Sequence, residues 1–200
     1  MRPLICTPAY GGQVSVEYLT GLLRVWPAVR MSGGDVYFRR DSHIDRARND
    51  CVAHFLAGDF THLVFIDADV GFSKDAFRRL LGPFDICGGV YPIKHEGAGF
   101  PIDIEAIGEP DSRGFAECNE LPTGFMCIAR HVFDKVDPRT AFDSMRDENG
   151  EFLTEDYAFC RRAREAGFKI HCDVRSDLSH VGIKVYRDDF AAACRRRRAA

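Results

Sequence analysis

No stretch of this 200-residue chain approaches the roughly 20 consecutive apolar residues that a helix needs to cross a bilayer. No signal-peptide pattern opens it, since Met1-Arg2-Pro3-Leu4-Ile5-Cys6 runs straight into a strand-like segment. None of the eight cysteines forms a C-x-x-C pair, which argues against a zinc or disulfide framework. Cys51, Cys87, Cys127 and Cys160 lie in apolar runs, where a reduced thiol packs as a small core residue. These absences predict a soluble protein of a reducing cytoplasm, the host's if the chain is phage-encoded. A strong charge of one sign is also missing. The formal net charge of −3 gives no global signal for nucleic acid or anionic membrane. The exception is the run Arg195 to Arg198, read either as a solvated, frayed tail over 191–200 or as a tether to an acidic acceptor such as DNA or phospholipid. Internal repeats and interdomain linkers are absent, so 1–190 reads as one domain, with halves at 1–92 and 93–190.

What is present is strand–helix alternation. Arg2 to Thr7 reads as a strand, and Pro8-Ala9-Tyr10-Gly11-Gly12 as the loop after it. Val14, Tyr18, Leu22 and Val25 recur at helical spacing, with Pro27 marking the helix end. Val36 to Phe38 is a short strand. On a helix over about Ile44 to Leu56, the apolar positions share one face, and Arg48 projects within it. A charge there needs a partner. It is either half of a structural ion pair or an anion-binding arginine at the edge of a site. Leu63 to Ile66 is a continuous apolar run, as expected of a central parallel strand covered on both faces. Ser73 caps a further helix, and Ile86 to Tyr91 is another strand. The expected fold class is α/β, with a mostly parallel central sheet flanked by helices. The second half reads as strands at 102–107, 115–118, 125–129 and 170–174, with a helical turn at 131–136 and a polar loop at 143–152. Thr154 caps a helix that Gly167 closes.

Chemistry concentrates at three places. Asp67 and Asp69 end the apolar strand, and residues two apart on an extended strand project the same way. At the carboxyl edge of an open α/β sheet they would face the ligand crevice. Two carboxylates so close repel unless a cation sits beside them, and a divalent ion bridging to a diphosphate meets that need. Taken alone, they could equally be solvated acids at a strand-end turn. Glu155-Asp156 opens a helix, where acids favour the positive end of the dipole. On a helical wheel, however, Asp156 turns inward, and a carboxylate at a cleft mouth can act as general base. His180, in Ser179-His180-Val181-Gly182, could complete an Asp/His ligand set that suits Mn2+ and permits Mg2+.

Read in order, these segments resemble the GT-A superfamily, in particular the family 2-like inverting glycosyltransferases. The resemblance runs through Thr7-Pro8-Ala9-Tyr10, Arg46-Ala47-Arg48-Asn49, Phe65-Ile66-Asp67-Ala68-Asp69, Pro122-Thr123-Gly124-Phe125, Glu155-Asp156 and His180. It implies a GT-A (Rossmann-like) fold and a hexosyltransferase-type enzyme using a nucleotide-sugar, UDP-sugar favoured. Thr7, Ala9 and Tyr10 would lie against the base, and Ala68 between the two donor-binding acids. Asp69 would bind the metal directly, with Asp67 on the ribose or a metal-bound water and His180 completing the coordination. Asp156 would be the base, supplied with Glu155 by the Glu-Asp motif, and Arg48 would fit the donor diphosphate or its surroundings. The second strand lacks the acid that reads uracil in such enzymes, so Asp41 or Asp45 is the substitute the sequence offers. Direct displacement with inversion is expected, and retention if Asp156 does not stand opposite the leaving group.

Two other classes share parts of this pattern. A haloacid-dehalogenase-like phosphatase also places Asp-x-Asp after an apolar strand, but normally after the first strand. A non-catalytic nucleotide-sugar-binding module would usually have lost Asp69 or Asp156, and both are present. A sugar nucleotidyltransferase needs a basic Gly-rich loop that Pro8 to Gly12 does not supply. The acceptor, whether a glycan, a lipid-linked sugar or a modified DNA base, is not encoded in these motifs, nor is the oligomeric state.

Overall fold

The run Leu63-Val64-Phe65-Ile66 is completely buried and forms an interior strand of the sheet. The computed structural model describes residues 1–95, 99–182 and 185–199. In chain order, β1 (Pro3–Pro8) leads through a single 3-10 turn at Tyr10–Gly12 to α1 (Val16–Met31) and β2 (Asp35–Arg39). Then come α2 (Ile44–Ala57), β3 (His62–Ile66), β4 (Val70–Gly71), α3 (Lys74–Leu80) and β5 (Ile86–Gly89). The second half contains β6 (Phe115–Cys118), β7 (Phe125–Ala129), β8 (Met145–Arg146) and β9 (Phe152–Leu153). It closes with α4 (Glu155–Glu165), β10 (Ile170–Asp173), β11 (Ser179–Val181), β12 (Val185–Tyr186) and α5 (Phe190–Ala199).

The main sheet has the order β2-β1-β3-β7-β5-β10-β6. Its five strands β2, β1, β3, β5 and β10 run one way, and β7 and β6 run against them. The strand β3 is thus parallel to β1 but antiparallel to β7, which corrects its reading as purely parallel. Apolar side chains fill both faces of this sheet. On one side Phe65 meets Phe142 edge to face at a centroid distance of 5.2 Å, and Phe142 stacks on Phe159 at 4.5 Å. On the other, Tyr18, Val25 and Val29 of α1 pack with Phe72 and Phe77. The eight cysteines are buried and none is in a disulfide, and among the described residues no helix is long and apolar enough to cross a membrane.

Several local expectations fail for identifiable reasons. Pro27 does not end α1, because Val25 and Val29 on either side bury against the sheet and hold the helix through the missing N–H. The segment 102–107 forms a 3-10 turn at Ile104–Ala106, with the Asp103 carboxylate accepting from Glu105 N, instead of a strand. The polar stretch 143–152 is a hairpin, β8 against β9, whose turn is tied by Asp147 accepting from the backbone of Asn149 and Glu151. The stretch 191–200, read as a frayed basic tail, belongs largely to α5. Phe190 and Cys194 bury there, and Arg197 donates to the carbonyls of Glu105 and Ile107.

Candidate functional site

The chain leaves β3 at Ile66 and turns at once. Val70 N donates to Asp67 O at 3.0 Å, closing a four-residue turn that replaces the extended backbone assumed from the sequence. The two aspartates therefore diverge. Asp67 turns toward α2 and Asp69 toward β11.

Asp67 meets Arg48. The guanidinium makes a two-pronged contact, Nη1 to Oδ1 at 3.1 Å and Nη2 to Oδ2 at 3.2 Å, while its Nε donates to Glu155 Oε1 at 3.1 Å. Arg48 is 3% exposed and lies over the Phe65 ring at 5.2 Å. Burial alone would lower its pKa, but the two carboxylates outweigh that and raise it. Burial likewise raises the Glu155 carboxyl, with Arg48 opposing it. Arg48 is thus engaged by two carboxylates, the ion pair that the sequence offered as one of its two readings. Of the Glu-Asp pair, Glu155 is the buried member, and Asp156 stays half-buried at the mouth of α4.

Asp69 meets His180. Pairing of β4 with β11 places His180 opposite Val70, and Val181 N donates to Asp69 O at 2.8 Å. His180 Nε2 then stands 3.6 Å from Asp69 Oδ1, while its Nδ1 lies 2.9 Å from Pro92 O. Lys94 Nζ bonds the other oxygen, Oδ2. Burial would raise the Asp69 carboxyl, but hydrogen bonds from His180 and Lys94 bring it down to about 2.

Next to this turn opens a cleft of about 510 Å3, lined among others by Tyr10, Asp41, Ile44, Asp67, Ala68 and Asp69. Tyr10 is 79% exposed at its lip. Other expected base contacts are turned away. Thr7 is buried with its hydroxyl 2.6 Å from Tyr18 Oη, and Ala9 is buried with its N–H on Arg39 O. Asp45 accepts from Ser144 N and so ties α2 to the segment before β8. Asp41, named only as a substitute, does line the cleft, with its carboxyl held low by Arg46 and His43 N.

Two residues here, Lys94 and Tyr91, escaped the sequence reading, and a third, Gly124, was read only as part of Pro122-Thr123-Gly124-Phe125. Lys94 and Tyr91 follow β5, which ends at the same sheet edge as β3 because the two run in the same direction. Tyr91 is buried, with its ring edge-on to His180 at 4.7 Å. Gly124 precedes β7, and a Cβ there would lie 2.5 Å from Tyr91 Oη and 2.7 Å from Asp67 Oδ2. Only a bare backbone lets the carboxylate and the phenol approach. Gly124→Ala is expected to cost about 1–3 kcal/mol through overpacking, read as a lowered urea midpoint. An unchanged midpoint would mean that Asp67 and Tyr91 yield freely.

Among solved structures, the chain is similar to A197 from STIV. The TM-score is 0.63 at 20% identity, covering 91% of this chain and 86% of that one. It is also similar to GalNAc-T7 with UDP, GalNAc and Mn2+, at a TM-score of 0.57 and 11% identity. That match covers 94% of this chain but 44% of the other. The fold is GT-A. No protein-family model and no curated protein matches the chain. At these identities the GT-A likeness speaks for the fold alone.

Proposed function

We propose that this GT-A chain is a metal-dependent glycosyltransferase, moving a sugar from a nucleotide-sugar, UDP-sugar favoured, to an acceptor hydroxyl with inversion. The observation that carries the reading is the convergence of Asp69 and His180 beside the cleft at the carboxyl edge of β3. Pro92 O engages Nδ1 of the imidazole, which fixes the ring and leaves Nε2 for a metal, the arrangement usual for metal-ligating histidines. Among the described residues no group of three or more His, Cys, Asp or Glu forms a metal cluster. Two protein ligands fit an ion that completes its shell with diphosphate oxygens and water, as Mg2+ and Mn2+ do in phosphate sites. Such an ion would stabilise the charge that develops on the departing nucleoside diphosphate.

The remaining roles fall to the protein. Tyr10, exposed at the lip, offers a ring for the base to stack on. Asp67, held in place by Arg48, keeps lone pairs for a ribose hydroxyl or a metal-bound water. Asp156 takes the acceptor proton, and Glu155 holds Arg48. The acceptor is a hydroxyl of a glycan, a lipid-linked sugar or a modified DNA base.

Thermal melting with nucleoside diphosphates tests the donor half. At a hundred times Kd a ligand of the folded state stabilises by about 2.7 kcal/mol, which is roughly 5–10 °C for a chain of this size. UDP with Mn2+ is expected to give that shift, and UDP or Mn2+ alone much less. Asp69→Asn should remove the metal dependence. No shift with any nucleotide, with or without metal, would sink the proposal.

A further inference from the structure

We propose that Lys94 competes with the divalent ion for Asp69 and, once displaced, becomes the protein's cation on the donor diphosphate. This rests on the donor-site reading above and adds a residue to it. A diphosphate needs cationic contacts beyond the metal, and the inward arginine of α2 cannot provide one. Arg48 is 3% exposed and holds two carboxylates. Arg46 holds both oxygens of Asp41 at 2.6 Å.

Lys94 differs from both. Its side chain is 37% exposed, and its recorded partner among the described residues is Asp69 Oδ2. It shares that carboxylate with His180, which faces Oδ1. Two residues before it, the Pro92 carbonyl engages the same histidine. One short stretch after β5 thus supplies both the anchor of the candidate ligand His180 and a partly exposed cation for the candidate ligand Asp69. An ammonium on a four-carbon stem is a compact point charge that can swing between acceptors at little cost. A divalent ion on Asp69 and His180 repels it, and the oxygens of an incoming diphosphate attract it. The exchange needs side-chain rotation only.

The prediction is a pair of effects with opposite signs. Isothermal titration calorimetry on Lys94→Met should show Mn2+ alone binding roughly two- to fivefold tighter, because an exposed ion pair no longer competes. UDP binding at saturating Mn2+ should be roughly tenfold weaker or more, from loss of a charge-assisted hydrogen bond. Lys94→Arg should restore most of the UDP affinity. Circular dichroism melts would confirm that both variants are folded. If Lys94→Met binds Mn2+ and UDP as the wild type does, or if only one of the two affinities moves, the role of Lys94 is overturned while the donor site stands. If the wild type itself binds no UDP with Mn2+, the donor reading has failed and Lys94 falls with it.

Discussion

Asp156→Asn is expected to lower turnover by roughly 10²- to 10⁴-fold, the usual contribution of a positioned general base, while UDP binding with Mn2+ stays within about twofold. The geometry supports so selective a loss. Asp156 Oδ1 accepts from the Thr154 hydroxyl and from Tyr157 N at 2.9 Å, which pins the carboxylate at the start of α4. Oδ2 has no recorded hydrogen bond among the described residues, leaving one oxygen to receive an acceptor proton. An asparagine keeps an acceptor for the two pinning bonds and the same shape, so the fold should tolerate it. What it cannot do is take the proton. Glu155 is no substitute, since it is buried and bonded to Arg48. The product's anomeric configuration, read by NMR, checks the same assignment from another side. A base standing opposite the leaving group gives inversion. Unchanged turnover in Asp156→Asn, or a retained configuration, would remove Asp156 from the base role and leave the donor site to be judged separately.

How much of this was legible in the sequence depended on whether the signal was local. The buried run Leu63 to Ile66 announced β3, periodic apolar positions announced α1 and α2, and the end signals Thr154 and Gly167 announced α4. Ser73 caps α3 as its residue type predicts, accepting from Ala76 N at 3.0 Å. Arg48 could be seen to face inward, but its partners lie 19 and 107 residues away and carry no local trace. The turn at Asp67 stood only as the alternative reading because the polar pair itself looks like a strand end, and only pairing of Val70 with His180 fixes the bend. Lys94 was missed for a related reason. Its partner Asp69 lies 25 residues away, and Lys94 reaches it only because β3 and β5 end at one sheet edge. The acid that turns inward at α4 was chosen one residue late, since a wheel of apolar positions does not say which of two adjacent acids has a buried arginine waiting. For α5, composition misled: four consecutive arginines outweighed Phe190 and Cys194, whose burial depends on contacts such as Phe100, 4.8 Å from the Phe190 ring.

Arg48→Met should cost about 3–5 kcal/mol, the usual price of breaking a buried pair by removing one partner. The variant keeps much of the arginine's apolar bulk over Phe65, so the loss is chiefly electrostatic. It strands two carboxylates whose side chains are only 24% (Asp67) and 12% (Glu155) exposed. The pH dependence follows from the direction of the Glu155 shift. Its carboxyl is already raised above 4.5 by burial, with Arg48 pulling it back. Without Arg48 it rises further. A group raised in the folded state contributes stability below its unfolded pKa and loses it as pH climbs through the folded value. The variant's deficit in urea should therefore be widest near about pH 8 and narrow toward about pH 5. Arg48→Lys, which keeps the charge but not the fork, should fall between the two. A deficit that does not change with pH would mean that Arg48 supports the fold by packing on Phe65 alone. In that case Asp67 would not depend on Arg48 for its place at the cleft.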